Sequence, residues 1–107
     1  MANLGETIDT LKMSLSNCLV KHKIYCFVKI ESLCDQQTLI LVFHIMNPID
    51  DSSIRELLHT LNVDVINSPL DPLSVPALEK FCIGVRKVML DLDKAYELLA
   101  MLKLEGY

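Results

Sequence analysis

The residues of this chain best suited to chemistry are carboxylates, thiols and imidazoles. Asp50 and Asp51 follow the apolar run "TLILVFHIM" and precede a helix-like stretch. Carboxylates just beyond the carboxyl end of a sheet strand lie where open α/β sheets bind ligands. With Glu31 and Lys29 on a neighbouring strand they could hold a divalent cation and support phosphodiester cleavage. The same two aspartates also suit the positive end of a helix with no chemistry at all, and no motif ties carboxylates and lysine together. Cys18, His22, Cys26 and Cys34 are sulfur and imidazole groups of the kind zinc prefers, with Cys18 and His22 one helical turn apart. They contain no C-x-x-C pair, however, and Cys26 falls within an apolar alternation, so buried thiols are expected instead. His44 sits inside an apolar strand and His59 on a helix. There is no Ser-His-Asp order, and three glycines in total leave little material for a phosphate cradle. Neither a metal nor a cofactor is expected.

These residues are positioned by a short series of elements. Asn3 and Glu6 have capping-box spacing, and Leu4, Ile8, Leu11, Leu15 and Cys18 form one stripe, which predicts a helix to about Lys21. In "KIYCFVKIE", Ile24, Cys26, Val28 and Ile30 alternate with Tyr25, Phe27, Lys29 and Glu31, the pattern of a strand with one apolar face. After the turn "CDQQ", "TLILVFHIM" is apolar on both faces, as a central strand is. Ser53 and Glu56 predict a capping box and a helix over about 54–61. "NVDVIN" reads as a third, short strand joined by a crossover, and "SPLDPLSVP" as a connection with Ser74 as N-cap and Pro76 in the first turn. The expected fold is α+β, topology α-β-β-α-β-α, with a three-stranded mixed sheet in the order 1-2-3. Residues 1–107 read as a single domain.

A long C-terminal helix over 75–105 completes this reading. Leu78, Val85, Leu92 and Leu99 recur at one heptad position and Phe81, Val88, Ala95 and Leu102 at another, widened by Tyr96. A rod of about 30 residues would be about 45 Å long, against a diameter of about 34 Å for a compact chain of this size. Its distal leucines would overhang the domain. The apolar fraction is 51% and the mean hydropathy +0.36, high for a small soluble chain. Together these predict an interface through Leu78, Phe81, Val85, Val88, Leu92, Tyr96, Leu99 and Leu102. The expected function is that of a non-catalytic accessory or regulatory protein, acting by protein–protein interaction as a homodimer or a subunit of a larger complex. The alternative is a small metal-dependent nucleic-acid-processing enzyme using Asp50, Asp51 and Glu31.

A net charge of −4 disfavours bulk binding to nucleic acid. Lys80, Lys87 and Lys94, seven residues apart, are diluted by neighbouring acids and read as a solvated face. The start lacks a basic region followed by an apolar run, and no apolar stretch is long enough to span a bilayer. A cytoplasmic protein with free thiols and no membrane association is expected.

Overall fold

The computed structural model describes residues 3–65 and 84–107. The first helix, α1 (Leu4–Lys21), begins where Asn3 turns its side-chain oxygen onto the Glu6 N–H at 2.8 Å. Leu11, Leu15, Cys18 and Leu19 form its buried stripe. The helix ends in a Schellman motif. Lys23 adopts a left-handed conformation, φ 60°, and the N–H groups of Lys23 and Ile24 return to the carbonyls of Val20 and Leu19. Ile24 therefore serves as the apolar contact behind the helix end, one turn ahead of the strand in which it was expected.

Strands β1 (Phe27–Ser32) and β2 (Thr38–Ile45) form an antiparallel hairpin. At its turn the Asp35 carboxylate accepts from the N–H groups of Gln37 and Thr38 and from the Thr38 hydroxyl. These bonds, that from Gln37 first, hold its carboxyl below the usual carboxylate range. Helix α2 (Pro48–Thr60) starts six residues earlier than its expected boundary. Asn47 is the N-cap, accepting from the Asp50 N–H at 3.0 Å, and Pro48 takes the first helical position, where no N–H is needed. Ser53 thus lies inside the helix and caps nothing. Asn47→Ala should cost about 1 kcal/mol in chemical denaturation while Ser53→Ala stays within about 0.5 kcal/mol.

The largest departures from the sequence reading follow α2. Residues 62–65 are not a strand. Asn62, at φ 62°, and Val63 close α2 in a second Schellman motif, with Val63 N–H on the Leu58 carbonyl at 2.8 Å and its side chain in the core. The third strand is β3 (Gly84–Asp91), and only then does the last helix, α3 (Leu92–Leu104), begin. Asp91 caps it by accepting from the Lys94 N–H at 2.7 Å. The helix expected over 75–105 is thus a strand followed by a helix of 13 residues. Its expected start, with Ser74, Pro76, Leu78, Lys80 and Phe81, lies outside the described residues.

The sheet order is β1-β2-β3, as expected, but β3 is antiparallel to β2 and the sheet is antiparallel throughout rather than mixed. The fold is α+β in the order α-β-β-α-β-α. Cross-strand partners share a face, so the register assigns the sides. Val28 and Ile30, Leu39, Leu41, Phe43 and Ile45, and Arg86, Val88 and Leu90 point inward. All the apolar members but the half-buried Ile30 belong to one buried cluster with Leu11, Leu15, Ile54, Leu58, Leu98 and Leu102 from the three described helices. The outer face carries Phe27, Lys29 and Glu31, then Ile40, Val42 and His44, then Val85, Lys87 and Met89.

Candidate functional site

The carboxylates singled out in the sequence do not converge. Asp51, in the first turn of α2, accepts from Arg86 Nε at 2.9 Å and from Arg86 Nη2 at 2.8 Å, a buried bidentate pair. Asp50 turns its Oδ2 to the Asn47 amide nitrogen at 3.0 Å as part of the cap. Glu31 lies on the opposite, outer face of the sheet, 3.9 Å from the Lys29 ammonium. Two of the three acids are thus engaged in holding α2 in place.

The thiols and imidazoles are similarly dispersed. Cys18 is buried between α1 and the chain end; burial pushes its thiol up, opposed by a hydrogen bond with Tyr107. The Cys26 thiol donates to the His44 carbonyl at 3.3 Å, Cys34 is exposed in the hairpin turn, and His22 caps the end of α1. Among the described residues no group of three His, Cys, Asp or Glu side chains could hold a metal ion.

The expected helical seam does not form one face. Val85 and Val88 both lie in β3, on opposite sides of the sheet. Leu102 is fully buried in the chain's own core, and Leu92 and Leu99 pack partly buried against that core. Only Tyr96 of the described group stands well out from the surface. Lys87 and Lys94 belong to different elements, so their seven-residue spacing draws no line along a helix.

A groove of about 670 Å³ runs beside α2, lined by Ser52, Arg55, Glu56, His59 and Asp64 together with Val63 and Val65. Its charged groups, Arg55, Glu56 and Asp64, are mixed in sign. His59 is exposed here, as its helix position predicts.

The outer sheet face is the more distinctive surface. Phe27 is 59% exposed and Met89 63%, and Ile40 is half-buried between their strands. The three described helices all contribute to the cluster on the other side. Phe27 meets the His44 ring edge-on, centroids 5.4 Å apart, and the Lys12 ammonium lies 5.6 Å from the Phe27 centroid, within cation–π range. Among the described residues His44 Nε2 is buried without a hydrogen-bond partner.

The β1 edge borders this face. The hairpin-closing bond from Leu33 N–H to the Thr38 carbonyl sets the phase of the ladder. Bonding alternates along an antiparallel strand, so Phe27, Lys29 and Glu31 direct their backbone groups at β2, and Val28, Ile30 and Ser32 direct theirs outward. That edge alternates charge with apolar side chains: exposed Phe27, Lys29, Glu31 and Leu33 on one side, Val28 and half-buried Ile30 on the other. The alternation of Lys29 and Glu31 is plain in the sequence; that it lies on a sheet edge is not.

No family model matches the chain, and no curated protein or solved structure shows significant similarity to it. No helix among the described residues is long and apolar enough to cross a membrane.

Proposed function

We propose that this is a non-catalytic accessory or regulatory protein that works by association with other polypeptide, through the outer face of its sheet and the adjoining β1 edge. The observation that carries this reading is the exposure of Phe27 and Met89 on the sheet face opposite all three described helices. The register sets exposed Phe27 and Met89 at opposite corners of this face, with Lys29 and Lys87 flanking the buried Val42 in the row between, a mixture of apolar and charged groups that suits a non-obligate interface. The excess of apolar residues, assigned from sequence to an overhanging helix, fits this surface instead. Asp51 and Asp50, engaged by Arg86 and Asn47, support a binding role over the nuclease alternative, which needs them free and near Glu31.

The test is a photo-crosslinking residue placed in the full chain, at Met89 on the outer face or at Lys103 on exposed α3, in cells that make the protein. Protein adducts should form from Met89 and not from Lys103. Adducts from Lys103 alone, or magnesium-dependent nuclease activity lost in Asp50→Ala, would overturn the reading.

A further inference from the structure

Resting on that reading of the surface, we infer that the partner at the β1 edge is a second copy of this chain, joined strand to strand about a two-fold axis at Ile30. Isologous contacts place residue i against j and j against i. Centred on Ile30, an antiparallel β1–β1 pair sets residue 30 against itself, 29 against 31, 28 against 32 and 27 against 33. All but the Val28–Ser32 pair are complementary. Lys29 faces Glu31 of the second copy, exposed Phe27 faces exposed Leu33, and half-buried Ile30 faces its own symmetry mate. The two-fold repeats both the charge pair and the Phe–Leu pair.

The backbone phase agrees with this register. Val28, Ile30 and Ser32 have outward N–H and C=O groups, because Leu33 bonds to Thr38 and bonding alternates from there. In the register centred on Ile30, Ile30 exchanges both bonds with its mate, and Val28 does so with Ser32 on either side of the axis. Every outward group of the strand finds a partner, and the two sheets continue as one.

Sliding the pair by two residues, which keeps the faces matched, destroys the complementarity. Centred on residue 29, Lys29 meets Lys29 and Phe27 meets Glu31. Centred on residue 31, Glu31 meets Glu31 and Lys29 meets Leu33. Charges on an edge strand ordinarily block sheet-to-sheet growth; here they disfavour the two same-face registers on either side of the one centred on Ile30. Like charges directly opposite repel, so the arrangement favours the Ile30 register over its immediate neighbours, and the two-fold closes the pair at this edge. A short strand pair buries a small interface, and the association belongs in the micromolar range rather than among permanent dimers.

Sedimentation equilibrium of the full chain across the micromolar range tests the inference. The wild type should show a reversible monomer–dimer equilibrium. Lys29→Glu and Glu31→Lys should each weaken it about tenfold, since each turns two attractive pairs into repulsive ones. The double variant Lys29→Glu/Glu31→Lys, with the charges exchanged, should recover wild-type affinity within about threefold. Both side chains are exposed, so each variant should remain folded, which circular dichroism checks. A wild type that stays monomeric, single variants that dimerise as the wild type does, or a folded double variant as weak as the singles would each overturn the inference. Crosslinking from Met89, on the far edge strand, reports separately on the broader reading and would persist if only the self-pairing failed.

Discussion

Asp51→Ala should lower the unfolding free energy by about 3–5 kcal/mol, the range for breaking a buried ion pair from one side. Its two oxygens receive the fork of Arg86 at 2.9 and 2.8 Å in a buried setting. Arg86 stands on the inner face, directly across from Phe43 in the register, among side chains that are otherwise apolar. Without Asp51 the buried guanidinium would lose a bidentate counter-charge, and a less compensated buried cation costs more than the truncated carboxylate alone. Asp51→Asn should recover only part of the loss, since it keeps one acceptor but not the charge. Replacing both, Asp51→Leu with Arg86→Met, should come much closer to the wild type than either single change, because neither charge of this pair is left buried without the other. Urea denaturation of the four proteins measures this. A cost below about 1 kcal/mol for Asp51→Ala would mean that the pair is open to water in solution.

The same ion pair explains where the sequence was hard to read. In β3 the inward positions are Gly84, Arg86, Val88 and Leu90, and the outward ones Val85, Lys87, Met89 and Asp91. A half-buried strand normally alternates apolar with polar. Here an inward arginine and outward Val85 and Met89 cancel the alternation, and what survives is the spacing Val85, Val88, Leu92, Ala95, Leu99 and Leu102, which copies a heptad. The counter-signals were local: Gly84 where a helix pays about 1 kcal/mol relative to Ala, and Asp91 three residues before Lys94, an N-cap in the middle of the supposed rod. Neither outweighs a regular repeat unless Arg86 is known to have a partner 35 residues away. "NVDVIN" misled for a related reason. Val63 is apolar because it closes a Schellman motif, a role that sequence periodicity does not distinguish from the start of a strand. By contrast α1, β1 and β2 satisfy local rules and tertiary packing at once, and their patterns were legible. Of the candidate site, the alternation of Phe27, Lys29 and Glu31 could be read directly. Its meaning depended on β1 being an edge, which follows only once β3 takes the other side of β2.

Leu102→Ala should destabilise the isolated chain by about 3–4 kcal/mol, and the loss should not depend on protein concentration. Leu102 is fully buried with Ala95 and Leu98 in the cluster that α3 shares with α1 and the sheet. Leu→Ala at such sites removes transfer free energy and leaves a cavity, for a total of about 3–5 kcal/mol where the surroundings cannot collapse. Collapse is restricted here because α3 is held at both ends, by Asp91 at its N-cap and by Tyr107, whose N–H returns to the Leu102 carbonyl at 2.9 Å. Had Leu102 lain on a rod covered by another subunit, its truncation would act through dissociation, and the unfolding midpoint would shift with concentration as mass action requires. A helix of 13 residues is about 20 Å long, no longer than the body it covers, so its leucines find shelter within the chain. Leu104, 87% exposed two residues further on, provides the internal control, and Leu104→Ala should stay within about 0.5 kcal/mol. A cost of Leu102→Ala relative to the wild type that changes with protein concentration, or similar costs at both positions, would return the assembly surface to the helix and remove it from the sheet.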